Sequence, residues 1–87
     1  MHPRVLKIFA LSDLRLGAIF KDGSARVYDV SPLKKKFPIF EDLEVIPGLF
    51  QQVRTDCGGA GVVWNDEIDL AAEEIWHNGT PCDADFS

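Results

Sequence analysis

The pair Asp22-Gly23, inside the stretch FKDGSARVYDV, constrains this chain more than any other feature. An Asp-Gly pair between two runs of apolar residues marks a β-hairpin. A tight type I′ turn needs positive φ at both central positions, and these two residues accept it. With a two-residue loop, Lys21 faces Ser24, Phe20 faces Ala25, Ala18 faces Val27 and Leu16 faces Asp29. Leu16, Ala18, Phe20, Ala25 and Val27 then form the core face. Arg15, Gly17, Ile19, Arg26 and Tyr28 form the other, half-solvated face. Val5–Leu11 is nearly all apolar and supplies a strand before the hairpin, joined through the short Ser12-Asp13 connection. The expected first half is a three-stranded antiparallel meander.

The meander ends at DVSPLKKKFP. Ser31 suits an N-cap and Pro32 the first helical position, where its missing N–H costs nothing. Pro38 disfavours helix at Phe37, so this helix is at most about two turns. The next stretch, FPIFEDLEVIPGLFQQV, is too apolar for a free loop. It reads as short helical turns laid over the sheet, punctuated at Pro47-Gly48. Val53–Asp56 and Gly61–Trp64 flank the glycine-rich loop Cys57–Ala60 and read as a second hairpin. The expected last element is a helix capped by Asp69, with Glu73 and Glu74 at its positive end and Ala71, Ala72, Ile75 and Trp76 as its apolar stripe. Gly79 and Pro81 stop it. The fold class is therefore α+β: an antiparallel sheet, the meander plus a second hairpin, packed with short helices.

A chain of 87 residues makes one domain, here 1–87, with an ordered core of about 3–80 and a frayed tail over 81–87. The composition, 46% hydrophobic, supplies one core and argues against disorder. So small a domain hides a modest share of its surface, which favours pairing with a second copy. No apolar run approaches the ~20 residues of a membrane span, and the start lacks a signal-peptide pattern. A cytoplasmic location is expected, and Cys57 and Cys82 suit it as free thiols.

Charge is divided along the chain. All nine Lys and Arg fall within residues 1–54 against six acids, and residues 55–87 hold eight acids and no Lys or Arg. The halves carry +3 and −8, for a net −5. Such a surface suits head-to-tail pairing or a charged partner protein. The acidic balance disfavours general nucleic-acid binding.

Candidate sites are few. Asp66, Glu67, Asp69, Glu73 and Glu74 lack the glycine and alternating spacing of a calcium loop, and a turn plus a helix cap accounts for them. Cys57, Cys82, His2 and His77 lack the close ligand pairs of a zinc site. The loop DCGGAG has no lysine or following helix to hold phosphate. Cys57 is the one nucleophile to consider. It would need a base, His77 is the only plausible one, and its neighbour Asp56 is an anion. Trp64 and Trp76 read as core. Neither a metal nor a cofactor is expected, and no catalytic residue is assigned. Partner-binding residues are expected in the basic cluster Lys34, Lys35 and Lys36, and on the open sheet face at Arg15, Arg26 and Tyr28.

Three stretches, LRLGAIFKDGSARVYDVSPL, LFQQVRTD and VVWNDEIDLAAEEIW, follow one another in an order that resembles the small bacterial domain-of-unknown-function family 2442. Phe20, Gly23, Tyr28, Asp29, Phe50, Val53, Asp56, Trp64, Asp69 and Leu70 stand at matching positions, and the resemblance covers roughly residues 3–78. Glu67 stands where the pattern usually has glycine, and Cys57 where it has no cysteine. The resemblance implies a small α+β fold with no established activity. It also implies a genomic association suspected of toxin–antitoxin behaviour. The expected function is a non-enzymatic interaction or regulatory module, antitoxin-like in that association, whose partner is another protein or a second copy. The alternatives are a weak nucleic-acid or small-ligand binder using the open sheet face, and an enzyme using Cys57.

Overall fold

The hairpin forms where Asp22-Gly23 places it, but with three loop residues instead of two. The computed structural model describes residues 2–86. In it β2 (Arg15–Phe20) and β3 (Ala25–Asp29) run antiparallel, with Leu16 opposite Tyr28 and Ala18 opposite Arg26. The Gly23 N–H donates to the Phe20 carbonyl (2.9 Å), and the Phe20 N–H donates to the Ser24 carbonyl (2.8 Å). Only Gly23 takes positive φ in this loop, at 91°. This is a type I turn closed by a left-handed residue, the common three-residue hairpin loop. Asp22 selects it. Its Oδ1 accepts from the Ser24 N–H (2.9 Å) and the Ser24 hydroxyl (2.6 Å), which also holds its carboxyl below the ordinary carboxylate value.

One extra loop residue moves β3 by one position and exchanges its faces. Tyr28 and Arg26, expected on the open face, lie on the inner face with Leu16, Ala18 and Phe20. Ala25 and Val27, expected on the core face, lie on the outer face opposite Ile19 and Gly17, where Ala25 is nevertheless buried at 4% exposure. Tyr28 is buried at 5% exposure.

β1 (Val5–Ala10) pairs with β2 on its other side, with Val5 opposite Phe20 and Lys7 opposite Ile19. A bulge between them absorbs Leu6, so that Val5 and then Ile8 and Ala10 all reach the core while Leu6 is pushed outward. The fourth strand was not expected. β7 (Thr80–Cys82) pairs with β3, giving the order β1-β2-β3-β7. The segment from residue 81 is thus not a frayed tail throughout. Pro81 is accommodated because an edge strand turns one row of N–H groups to solvent.

The second sheet has the order β4-β5-β6, from β4 (Arg54–Thr55), β5 (Gly61–Val63) and β6 (Asp69–Ala71). The first two are the expected second hairpin around Cys57–Ala60. The third replaces the expected start of the last helix: Asp69 is opposite Val63 in the sheet and caps nothing. α3 (Ala72–Asn78) starts three residues later, where the Ala72 N–H donates to the Ala60 carbonyl (2.9 Å). Asn65 organises the turn into β6. Its Oδ1 accepts from the N–H groups of Glu67 and Ile68, both at 2.9 Å. Glu67 keeps negative φ there, so the turn does not need the glycine that the resemblance led one to look for.

Between the sheets, α1 (Leu33–Lys36) is a single turn that ends at an extended Phe37 before Pro38, as expected. Ser31 does not cap it. The Ser31 hydroxyl and N–H both donate to Asp29 Oδ1 (2.7 and 3.0 Å). A 3-10 turn at Pro38–Glu41, α2 (Asp42–Val45) and a second 3-10 turn at Phe50–Gln52 follow. They press Phe40, Leu43, Leu49 and Phe50 into the core. Trp64, 1% exposed, is the centre of that core. Its Nε1–H donates to the Phe50 carbonyl (3.1 Å), and its ring packs against those of Phe40 and Phe50.

Candidate functional site

β7 covers only the first three residues of β3, Ala25 to Val27. Beyond Thr80 the edge of β3 is open, and a cleft of about 710 Å³ forms there. Tyr28 and Asp29 line it with Leu33 and Lys36 of α1, Glu74 and Asn78 of α3, and Arg15 at the start of β2. Glu74 and Asn78 are four apart and so share one side of α3. The Tyr28 hydroxyl donates to Glu74 Oε2 (2.8 Å), and Asn78 Nδ2 donates to the same oxygen (2.9 Å). Burial, and then the bond to the Glu74 carboxylate, push the Tyr28 hydroxyl well above the ordinary tyrosine value. The cleft floor is therefore a neutral phenol tied to an anion. The Arg15 and Lys36 cations stand at its walls.

Arg15, Tyr28 and Lys36 thus meet in one cleft, and the other three expected binding residues lie elsewhere. Arg15, Arg26 and Tyr28 do not share an open face. Arg26 lies on the inner side, with its guanidinium 4.2 Å from the centroid of Trp76, and its Nε finds no acceptor among the described residues. The ring of Trp76 meets Phe20 edge-on at 4.9 Å, so this tryptophan joins the sheet to α3 as expected. Lys34 Nζ bonds Glu44 Oε1 at 2.7 Å, which raises the lysine's pKa and sets α1 beside α2. Lys35 is exposed and lines no part of the cleft. Sequence reasoning missed Glu74 and Asn78 as cleft residues. Their i,i+4 spacing is visible in the sequence, but a two-residue hairpin loop places their target, Tyr28, on the other face.

Cys57 and Cys82 are free and exposed. Cys57 opens the loop before β5, and His77 lies near the end of α3. Among the described residues no three His, Cys, Asp or Glu side chains gather where one metal ion would sit. No helix among them is long and apolar enough to cross a membrane. The charge division also persists in the fold. The Lys and Arg ion pairs among the described residues, Arg15–Asp13 (4.0 Å) and Lys34–Glu44 (2.7 Å), both stay within the basic half. In the acidic half Glu73 approaches His2 at 3.6 Å, and Glu74 is held by Tyr28 and Asn78.

A family model described as "Protein of unknown function (DUF2442)" matches residues 5–81. The chain belongs to the DUF2442 family. No curated protein and no solved structure matches it. The DUF2442 region spans both sheets from the start of β1 and takes in every residue that lines the Tyr28 cleft. It ends at residue 81, before Phe86. The DUF2442 description names no activity, so a functional reading of this member rests on its surface and its clefts.

Proposed function

We propose that this DUF2442 chain is a non-enzymatic protein-interaction module that presents the segment Leu33–Ile46 to a partner protein. One observation carries the reading: Phe37, Val45 and Ile46 are 53%, 59% and 46% exposed on this one short segment. Large apolar side chains grouped in this way cost free energy in water and gain it when a partner covers them. Lys35 and Lys36 are exposed beside Phe37, and Glu41 and Glu44 are exposed toward Val45, so the segment has a basic end and an acidic end that orient a partner. A regulatory, antitoxin-like role is the specific form of this reading, since such a protein works by covering its partner. Cys57 has no part in it.

The test is co-purification from native cells at low salt, comparing the intact chain with the triple variant F37S, V45S, I46S. All three side chains are largely exposed, although the Phe37 ring also meets that of Phe40 at 6.1 Å, and circular dichroism of the variant checks that the fold is kept. The intact chain brings down a stable partner that the variant loses. Elution of the intact chain alone, or equal recovery of the partner with both, overturns the proposal.

The Tyr28 cleft supports a second reading, a small polar ligand held between Arg15 and Lys36. It does not extend to RNA read on the sheet, because Tyr28 is packed inward and offers no stacking surface.

A further inference from the structure

Gly17 stands in mid-strand in β2, which is paired on both sides, and its φ is not positive. Glycine weakens a strand at such a place, and it often marks a close approach from above. Here that approach is made by Phe86. A Cβ at residue 17 would lie 2.6 to 2.8 Å from three carbons of the Phe86 ring. The same ring meets Phe9, directly opposite Gly17 in the register, at a centroid distance of 5.5 Å. Ile19 and Val27 lie on the same outer face. The outer face of the first sheet is thus a seat shaped for one aromatic side chain.

Charge gives the seat a preference. Lys7, opposite Ile19, belongs to this outer face by register and is exposed, while Arg15 ends the same row with its guanidinium turned to Ser12 and Asp13. The segment that delivers the ring, Asp83–Phe86, carries two acids. Among the described residues neither Asp83 nor Asp85 comes within ion-pair distance of a lysine or arginine. The segment is anchored lightly: Asp83 to Asp85 are exposed, and the backbone bond there is local, from the Asp85 N–H to the Asp83 carbonyl (2.9 Å). The strands that form the seat lie inside the DUF2442 match, and the ring that fills it lies outside.

We propose that this outer face is a docking groove for an acidic peptide segment of a partner protein, which lays an aromatic side chain over Gly17, and that Phe86 plugs the groove in cis. The plug and the ligand share one chemistry, so they compete. Because the plug is tethered, it competes at a high effective concentration and lowers the apparent affinity of the intact chain. The groove shares no residue with the Leu33–Ile46 segment, and the proposal stands apart from the reading of that segment.

The experiment follows backbone amide shifts of the labelled full-length chain during titration with three peptides. The first copies the plug, acetyl-Asp-Ala-Asp-Phe-Ser. The second has lysine for both acids, and the third has alanine for phenylalanine. In the F86A chain, the first peptide gives saturable shifts at Phe9, Gly17 and Ile19. The other two do not saturate. The intact chain binds the first peptide at least about tenfold more weakly than F86A. Adding G17A to F86A fills the seat and abolishes binding. F86L keeps an apolar cover and gives intermediate affinity, which preserves the test if F86A folds poorly. Three results overturn the proposal: no saturable shift on the outer face of F86A or F86L, equal binding of the lysine peptide, or a dimer of the intact chain that F86A dissolves. The last would assign the seat to a second copy.

Discussion

On the inner face of the first sheet, Leu16, Ala18, Phe20 and Tyr28 are 0–5% exposed beneath α3 and the second sheet. One position along the same strands, Gly17, Ile19 and Val27 face outward, with Phe9 and Phe86 packed on that side. Leu16, Ala18 and Phe20 of β2 are the core face in either register, and the third loop residue at Lys21–Gly23 decides which side of β3 joins them. The inner face is fixed by a whole layer of packing, and the outer face is closed by one ring on a light tether. Burial on this sheet therefore has two sources, a whole packed layer on one side and a single ring from the end of the chain on the other.

Substitutions can break or sharpen this contrast. F20A empties a fully buried site edge-on to Trp76 and should cost ~3–5 kcal/mol in urea unfolding. Y28F keeps the ring but removes the bond to Glu74, at a cost of ~1–2 kcal/mol. It should leave the far-ultraviolet circular dichroism unchanged. F86A should cost about 1 kcal/mol, because only a half-buried ring leaves the surface. An F86A cost equal to that of F20A would mean that the outer face is as permanent as the inner. K34A breaks only the exposed pair with Glu44 and should leave the unfolding midpoint where it is.

Much of this architecture is written in local signals. The Asp-Gly turn, the Pro38 boundary, the short apolar turns before Val53 and the glycine-rich loop after Asp56 all act within a few residues, and all appear where expected. What was misread depends on partners distant in sequence. Asp-Gly serves both two- and three-residue loops, and the choice falls to the Asp22–Ser24 bonds. Asp69–Ala71 looks like the start of a helix until β5 supplies a neighbour. Pro81 and Cys82 look like the start of a tail, because Pro81 argues against a strand that only β3 can stabilise. The candidate site was half legible for the same reason. Arg15, Tyr28 and Lys36 were expected to bind, but their meeting point with Glu74 and Asn78 depends on the register.

That register is the central claim, and the titration of Tyr28 tests it most directly because the chain has one tyrosine. Tyr28 in the folded protein holds its proton more tightly than in the unfolded chain, whose ordinary value is 10.0. Its contribution to stability is therefore complete below that pH and is lost as the pH rises above it, a loss that Y28F does not share. The measurement is tyrosinate absorbance against pH, with circular dichroism recorded in parallel. The predicted result is almost no tyrosinate at about pH 10–11 while the fold persists, with ionisation arriving together with unfolding. Half-ionisation near pH 10 in a folded chain would place Tyr28 on the open face and contradict the account.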